Sequence, residues 1–247
     1  MMLRKWEELP LEMQTDEVRE YYDIISRKRI HLLIKRIFDI VLSLIMLVLF
    51  LPVFLVIAAA IKLDSAGPVF YRQTRITQYN ETFRIIKFRS MAAGAGGPQV
   101  TLGNDARITR VGQVIRKYRL DELSQLLNVL AGTMTFVGTR PEVPRYVAEY
   151  TPEMMATLLL PAGVTSLASI YFKDEAEILE AAANAEQCYT EEILPQKMRY
   201  NLKALREFSL WADIRVMFMT VCAVCGKEYK CQFDKPTEKA GELTLER

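Results

Sequence analysis

The sequence predicts an α+β fold, a mostly helical membrane-associated domain with a re-entrant membrane helix broken at proline and a small β element. Three observations predict it. An uncharged apolar run covers residues 40–61 and contains Pro52. Two segments, 69–76 and 82–91, alternate in the manner of short strands. Apolar residues at helical spacing fill most of the remaining chain from residue 108 onward.

Composition excludes several classes of protein. Half of the 247 residues are hydrophobic (51%), which excludes global disorder. A net charge of +2 gives no overall field of the kind that nucleic-acid binders carry, so we expect no nucleic-acid partner. The single histidine, His31, excludes a His-rich zinc site and disfavours a Ser-His-Asp triad. Cys222 and Cys225 lack a second pair that would complete a metal site, and we interpret them as small apolar fillers.

The run at 40–61 is long enough, at about 33 Å as a straight helix, to cross a bilayer. Pro52 divides it into two legs that each reach about half the hydrocarbon thickness. Basic residues flank both ends, so the positive-inside rule favours neither side. A re-entrant hairpin that returns to the cytoplasmic face satisfies both flanks. A spanning helix kinked at Pro52 is the alternative.

The elements outside this run follow from local patterns. The first 30 residues predict a charged amphipathic helix, and Asn80 is a turn residue between two strands. Ala92–Gly97 predicts a flexible loop that is not a P-loop, because no Lys-Ser/Thr follows it. We expect helix over 108–131 with Gly112 as its only interruption, irregular chain over 132–144, and extended chain over 160–172. The apolar side of the first helix is expected to comprise Tyr21, Tyr22, Ile24 and Ile25.

Helices rich in apolar residues continue to residue 224. Residues 145–160 and 174–224 are predicted to be largely helical. Two of their apolar stretches, 158–161 and 210–224, suit either the membrane interface or the protein core. The tail from Gly226 is polar.

Adjacent Asp121 and Glu122 are the candidate chemical groups. On a helix they would be presented beside a leucine stripe that anchors the helix in the core. That stripe is Leu120, Leu123, Leu127 and Leu130, and the polar stripe beside it is Asp121, Ser124, Gln125 and Asn128. A solvated acidic helix start, favourable to the helix dipole, is the alternative interpretation.

Basic residues in the neighbouring strands and turns favour the chemical interpretation. Arg75, Lys87, Arg89 and Arg140 all lie near glycine, threonine or proline. Guanidinium groups around paired carboxylates suit a diphosphate, and facing anions call for a divalent cation, most plausibly Mg²⁺. Beside a membrane hairpin, such a site predicts one lipid-phosphate substrate and one soluble substrate.

An ordered series of motifs carries a resemblance to a known family. The motifs are KRIFDI, GPVFYRQTRI, FRIIKFRSM, NDARITRVG, LDELSQLLNVLAGTMTFVGTRPE and LPAGVTSLASIYF. Over about 35–225 the chain resembles the monotopic bacterial sugar transferases, that is, the polyprenyl-phosphate phosphoglycosyl transferases. The resemblance implies the small form of this family, without a four-helix membrane domain ahead of the catalytic region.

The resemblance also implies a reaction. Asp121 would attack the β-phosphate of a UDP-sugar, UMP would leave, and undecaprenyl or another polyprenyl phosphate would displace the sugar phosphate from the aspartate. Glu122 matches the partner that helps to bind Mg²⁺, so Asp121 and Glu122 are the implied metal ligands. Arg140 and Pro141 match an element linked to nucleotide binding. The basic residues implied to bind substrate are Lys87, Arg89 and Arg119, with Arg75 as a further candidate.

Location and partners follow from the same resemblance. Pro52 matches the proline at which the family's re-entrant helix is broken, which favours the hairpin. We expect the bacterial inner membrane, contact with membrane lipid, and a catalytic domain that faces the cytoplasm; a homodimer is compatible with the sequence. The expected division is a leader at 1–34, the hairpin at 35–64, a cytoplasmic catalytic domain with interfacial helices at 65–225, and a polar tail at 226–247.

Five positions depart from the family pattern. They are Leu51, Ser124, Thr133, Thr139 and Ser166. None removes the nucleophile or its acidic partner. They leave open a second hypothesis, a catalytically silent membrane scaffold for enzymes of glycan assembly.

Overall fold

The computed structural model describes residues 3–92 and 107–229. Helices dominate these residues, and two small two-stranded sheets accompany them. The strands are β1 (Phe70–Ile76), β2 (Thr82–Phe88), β3 (Met134–Val137) and β4 (Ala162–Thr165). The α-helices are α1 (Asp16–Ser26), α2 (Arg29–Leu49), α3 (Leu51–Asp64), α4 (Arg110–Lys117), α5 (Leu126–Ala131), α6 (Pro144–Val147), α7 (Leu167–Tyr171), α8 (Glu175–Ala181), α9 (Ala185–Cys188), α10 (Leu194–Arg206) and α11 (Leu210–Val224).

Strands β1 and β2 form the antiparallel hairpin that the alternating pattern predicts. Phe70 pairs with Phe88 and Ile76 with Thr82. A short 3-10 turn, Gln78–Asn80, joins the strands, and Asn80 adopts a left-handed φ of 58°. Asparagine tolerates this conformation because its short polar side chain bonds locally, so its predicted place in the turn is confirmed.

Strands β3 and β4 form a parallel pair in a region where strand pairing was not expected. Met134 pairs with Ala162, and Val137 pairs with Thr165. The prediction of irregular chain over 132–144 is wrong for β3, because a strand of four residues, three of them consecutive and buried, is too short to show a period. Chain 160–172 is extended only in β4; α7 follows at once, capped by Ser166, whose Oγ accepts a hydrogen bond from the Ser169 backbone N–H.

The N-terminal segment packs into the main hydrophobic core. Val18, Tyr21 and Ile25 of α1 are buried in one cluster with Leu158 and Phe208. The predicted apolar side of this helix is confirmed for Tyr21, Tyr22 and Ile25, while Ile24 is only half-buried. The stretch 158–161 is buried in the structure, as the core alternative predicted.

Polar side chains attach the base of α2 to the sheet. The buried Asp39 carboxylate accepts hydrogen bonds from Thr135 Oγ1 (2.7 Å) and from the Phe136 backbone N–H (3.2 Å). Lys35 Nζ donates to the Val137 carbonyl at 2.9 Å and to Asp213 Oδ2 of α11 at 2.6 Å. Helix α2 runs through the expected boundary at residues 34 and 35, so its base and its apolar tip form one rigid element.

Helices α2 and α3 meet at a bend of 61°. Pro52 is the second residue of α3, where its missing N–H leaves no hydrogen bond unmade, so the predicted break at proline is confirmed. No single helix in the described chain has the length and apolar character to cross a membrane. The bent pair passes the same test of length and composition only when its two helices are taken together.

Chain 108–131 departs from the continuous helix that we expected. Helix α4 ends at Lys117, Arg119 adopts a left-handed φ of 52°, and a 3-10 turn, Leu120–Gln125, leads into α5. Gly112 does not interrupt α4. It lies inside the helix, and the residue there has to be glycine because a Cβ would come within 2.0 Å of the Ser90 carbonyl oxygen.

Helix α11 leaves much of its apolar surface exposed. Trp211, Phe218 and Val224 are each more than two-thirds exposed. At its end Cys222 is half-buried and Cys225 is exposed, so the interpretation as a packed filler is wrong for Cys225. The described residues do not include the expected loop at Ala92–Gly97 beyond Ala92. They also do not include the tail from residue 230 onward.

We expect Gly163→Ala to destabilise the protein by about 3 kcal/mol, because a Cβ at Gly163 would lie 2.2 Å from the Gly138 backbone nitrogen and oxygen. Thermal unfolding in detergent measures the loss. Gly226→Ala is the matched control: nothing lies within 4 Å of its Cβ, and its φ of 94° adds only about 1 kcal/mol of backbone strain. Equal losses in both variants would contradict the proposed backbone contact.

Candidate active site

Asp121 and Glu122 lie on the 3-10 turn at 120–125, which is fixed to strand β2. Ser124 Oγ donates to the Ile86 carbonyl at 2.9 Å. Asn128 Oδ1 accepts from the Ile86 backbone N–H at 2.9 Å, and its Nδ2 donates to the Arg84 carbonyl at 3.0 Å. Buried polar side chains of the turn and of α5 therefore hold this segment to β2. Leu120 and Leu123 also pack, half-buried, against a core cluster that contains Phe88 and Ile115, so the expected anchoring by the leucine stripe is confirmed for these two residues.

Glu122 is the charged centre of the site. Its Oε1 accepts from Arg140 Nη2 at 2.6 Å and from Lys87 Nζ at 3.2 Å, and its side chain is 16% exposed. Burial alone would raise the pKa of Glu122, but the positive charges of Arg140 and Lys87 outweigh burial and hold that pKa well below its usual range. Glu122 is therefore an ionised carboxylate committed to two cations.

Asp121 has a looser environment. Its Oδ2 lies 3.9 Å from Lys87 Nζ, which is beyond hydrogen-bond distance. Burial raises the pKa of Asp121 above its ordinary value, Lys87 lowers it, and the negative charge of Glu122 raises it further. A carboxylate that neighbouring cations stabilise only weakly keeps more of its basicity, and so Asp121 is the better nucleophile of the two.

Arg140 reaches Glu122 from the loop that follows β3. The Gly138 N–H donates to the Thr165 carbonyl at 3.0 Å, and the Gly163 N–H donates to the Thr139 carbonyl at 2.8 Å. Arg75 Nη1 donates to the carbonyl of the buried Pro141 at 3.1 Å. Strand β4 and strand β1 thus fix the loop on either side of Arg140.

The structure brings together four of the predicted site residues, namely Lys87, Asp121, Glu122 and Arg140. Arg75 and Pro141 lie one contact behind them, where Arg75 holds the loop backbone. Arg119 is exposed, immediately before the turn.

Arg89 does not lie with the site residues. It is 5% exposed, and its guanidinium donates to the Ala66 carbonyl at 2.5 Å and the Ser65 carbonyl at 2.7 Å. The expected role in substrate binding does not match this placement, because the guanidinium is engaged in capping the end of α3.

Three of the departures from the family pattern make local hydrogen bonds. Ser124 bonds to β2, as described above. Thr133 Oγ1 accepts from Asn128 Nδ2 at 3.2 Å, and Ser166 caps α7. Thr139 contributes its carbonyl to the loop contact with Gly163. These substitutions are thus accommodated in the packing of the site.

The structural roles of four residues were missed in the sequence. Asn128 was placed only on a polar stripe, and its bonds to β2 depend on a strand far away in the chain. Glu142, Tyr189 and Lys197 form a buried cluster behind the loop. Glu142 could have been suspected from its place two residues after Arg140, but Tyr189 comes from a π-helical turn that no sequence period indicates.

The carboxylates suit a magnesium ion. Among the described residues no group of three or more His, Cys, Asp or Glu side chains is placed to hold a metal ion. Mg²⁺ typically uses one or two protein carboxylates and completes its coordination with substrate phosphates and water. Asp121 and Glu122 are adjacent oxygen donors beside a cationic group of side chains, so the donor set fits Mg²⁺ in the presence of a phosphate substrate.

Comparison with known proteins identifies relatives along most of the chain. The sequence model of a family described as "Bacterial sugar transferase" matches residues 30–227. The UDP-N-acetylgalactosamine-undecaprenyl-phosphate N-acetylgalactosaminephosphotransferase of Aeromonas hydrophila is 36% identical over 197 residues, which cover 78% of this chain and 44% of that protein.

Two further relatives bear names of the same kind. The UDP-glucose:undecaprenyl-phosphate glucose-1-phosphate transferase of Escherichia coli (strain K12) is 36% identical, over 76% of this chain and 39% of its own length. The protein of the same name from Caulobacter vibrioides is also 36% identical, over 76% of this chain and 68% of its own. The chain therefore spans less than half the length of the first two relatives.

We expect Arg89→Met to lower the free energy of unfolding by about 3 kcal/mol, because it removes the buried guanidinium that donates to the carbonyls at the end of α3. Thermal unfolding in detergent measures this loss. Arg119→Met is the matched control, and an exposed arginine should change stability by no more than about 0.5 kcal/mol. Unchanged stability in Arg89→Met would contradict the capping role.

Proposed function

The chain belongs to the bacterial sugar transferase family, and on that premise we propose that it transfers a sugar 1-phosphate from a UDP-sugar to polyprenyl phosphate and releases UMP. One observation carries the proposal. Glu122 is bound to Arg140 and Lys87, whereas its neighbour Asp121 lies outside hydrogen-bond distance of Lys87 and is free to attack. The printed names of the relatives, with a UDP-sugar donor and an undecaprenyl-phosphate acceptor, support the same reaction class.

In the first step an oxygen of Asp121 attacks the phosphorus atom that carries the sugar. A new aspartyl O–P bond forms, and the bridging P–O bond to the α-phosphate breaks. UMP leaves with the bridging oxygen and its electron pair. The sugar phosphate is then held on Asp121 as an acyl phosphate.

In the second step a phosphate oxygen of the lipid acceptor attacks the same phosphorus atom. The bond to Asp121 breaks, the carboxylate is restored, and polyprenyl-diphosphate-sugar is released. This is the first membrane step of glycoconjugate assembly. Displacement in two steps lets a soluble donor and a lipid acceptor use one nucleophile in turn.

The cationic side chains make the attack feasible. A carboxylate is repelled by a diphosphate unless neighbouring positive charge offsets the repulsion. Lys87 lies between both carboxylates, and Arg140 has a planar fork that suits phosphate oxygens. Asp121 and Glu122 would hold Mg²⁺, which supplies further positive charge next to the diphosphate when it is bound.

We propose further that α2 and α3 form a re-entrant hairpin in the membrane. The chain before the hairpin and the chain after it pack into one core, where Val18 and Ile25 lie in a cluster with Leu158 and Phe208. Tyr21 also donates a hydrogen bond to Glu153 at 2.6 Å. A single crossing would place these partners on opposite sides of the bilayer, so the packing supports a hairpin that enters and leaves by one face.

The surface of the hairpin supports its insertion. Val48, Leu49 and Val56 are each more than two-thirds exposed around the bend. A group of exposed apolar side chains close together in the chain is typical of a membrane-binding surface. Because UDP-sugars are made in the cytoplasm, we propose that the site lies on the cytoplasmic face of the bacterial inner membrane.

We expect Asp121→Asn to abolish turnover, with kcat falling by more than about 10³-fold, because an amide cannot form the acyl phosphate. Turnover is measured as UMP release from a panel of UDP-sugars. The assay contains purified protein in nanodiscs, polyprenyl phosphate and Mg²⁺. Chelation of Mg²⁺ should stop UMP release by the wild-type protein. The exposed Asp16→Asn is the matched control and should keep full activity.

Two results would contradict the assignment. Activity above about a tenth of wild type in folded Asp121→Asn would exclude Asp121 as the nucleophile. If the folded wild-type protein releases no UMP from any UDP-sugar of the panel, that result would contradict the transferase function itself and favour the scaffold hypothesis.

The hairpin is tested by single cysteines placed at Glu12 and at Lys203, both exposed, in a variant whose native cysteines are replaced by serine. A membrane-impermeant maleimide should label neither position in intact cells and both positions in inverted vesicles. Labelling of Glu12→Cys alone from outside would establish a spanning helix and exclude the hairpin.

A further inference from the structure

Behind the loop that carries Arg140 lies a second buried set of charges, and the reaction proposed above does not use it. We propose that Tyr189 and Lys197 are positioning residues: they bind the carboxylate of Glu142 and thereby leave Arg140 to pair with Glu122. The inference rests on the proposed function for its kinetic test. It assigns roles to residues that lie outside the paired carboxylates and their immediate cations.

Glu142 is the negative centre of this buried set. It is 6% exposed, two residues beyond Arg140. Its Oε1 accepts from the Tyr189 hydroxyl at 2.6 Å, and Lys197 Nζ lies 3.5 Å from the same oxygen. On the other side Arg75 Nη1 lies 3.9 Å from Oε2. A carboxylate buried to this extent must be satisfied by such partners, or it attracts another cation.

Lys197 is the cation that completes the set from helix α10. It is 4% exposed, and its Nζ donates to Glu175 Oε2 at 3.0 Å and to the Tyr189 oxygen at 3.2 Å. Its ammonium also lies 5.0 Å from the centre of the Tyr189 ring. One buried lysine thus connects two carboxylates and a phenol within the helical part of the chain.

Tyr189 is delivered to this point by an unusual backbone. It begins a π-helical turn, Tyr189–Ile193, between α9 and α10. Such turns are rare and occur often at functional sites. The ring packs at 4.6 Å on that of Tyr146, and burial followed by the charge of Glu142 raises the pKa of Tyr189, so its hydroxyl stays a hydrogen-bond donor.

The backbone transmits the position of Glu142 to Arg140. Only Pro141 separates the two residues, and proline fixes its own φ. The Ile76 N–H donates to the Glu142 carbonyl at 2.9 Å, and Arg75 holds the Pro141 carbonyl. A displacement of the Glu142 side chain therefore pulls directly on the residue that binds Glu122.

The charges around Arg140 explain why Glu142 has to be occupied. Glu122 is the main cause that raises the pKa of Arg140, and Glu142 and Glu175 act on the same guanidinium in the same direction. Glu142 is thus a second carboxylate, two residues from Arg140, whose negative charge attracts the same guanidinium. Because Tyr189 and Lys197 bind Glu142 and offset its charge, Arg140 pairs with Glu122. Without them, among the described residues Glu142 keeps only Arg75, whose Nη1 lies 3.9 Å from Oε2, and it draws Arg140 away from the active site.

The test uses four variants of the full chain, with kcat and KM for the active UDP-sugar measured separately. Tyr189→Phe should lower kcat about 10-fold, in line with the loss of one hydrogen bond to a charged group. Lys197→Met should lower it by about 100-fold. Adding Glu142→Gln to either variant should restore kcat to within about 10-fold of wild type, because the competing charge is gone. Tyr146→Phe, which alters the same aromatic cluster, should stay within about 2-fold.

The rescue separates positioning from a purely structural role. Double variants that are as slow as, or slower than, the single variants would overturn the proposal, because a merely structural cluster gains nothing from a second loss. If Lys197→Met does not fold, the pair Tyr189→Phe and Tyr189→Phe/Glu142→Gln decides the same question.

A second readout does not depend on turnover, so it distinguishes failure of this inference from failure of the proposed function. Amide hydrogen exchange over 138–143 in the resting protein should be faster in Tyr189→Phe and should return to the wild-type rate in Tyr189→Phe/Glu142→Gln. Unchanged exchange in Tyr189→Phe would overturn the positioning role even if the wild-type protein turned over every donor offered to it.

Discussion

The ion pair between Glu122 and Arg140 connects two parts of the chain that share no secondary structure. One partner lies on a 3-10 turn held to β2, and the other lies on a loop held between β1 and β4. A partly buried ion pair stabilises a fold little, because desolvation offsets much of the attraction. Its value here is geometric. The buried polar anchors of the turn, the close contact of Gly138 with Gly163 and the cluster around Glu142 all bring these two side chains to one point.

The second organising feature is helix α2, whose two ends have different surroundings. Its base carries Lys35 and Asp39, which bond to β3 and α11, while its far end is apolar and exposed. The residues that hold α2 are bonded to the strand that leads into the Arg140 loop. The α2–α3 pair and the site are therefore parts of one packed unit. The N-terminal segment also takes part in it, although the family match begins only at residue 30.

Much of this arrangement could be predicted from the sequence, and the exceptions have physical causes. Alternation identified β1 and β2, proline identified the bend at Pro52, and the charge pattern identified the four residues that meet in the site. Arg89 lies apart from these four, and the sequence could not indicate this because a buried cap and a ligand-binding arginine look the same in a sequence. The turn at 120–125 was taken for a helix because its leucine spacing fits one, and the strained backbone of Arg119 that separates it from α4 leaves no pattern. Tyr189 and Lys197 depend on a π-helical turn and on contacts 47 and 55 residues away.

The packing of α1 also has a consequence for the order in which the chain matures. Tyr21 and Ile25 find their partners in the segment around Leu202–Phe208, and Lys35 and Asp39 find theirs at residues 135–137 and 213. During synthesis the hairpin leaves the ribosome long before any of these partners exists. Contacts so distant in sequence close late, since their loop entropy must first be overcome. In the membrane placement proposed above, α2 and α3 would therefore enter the bilayer before the segments that pack against α1 and α2 are made, and the core would close only after α10 and α11 follow.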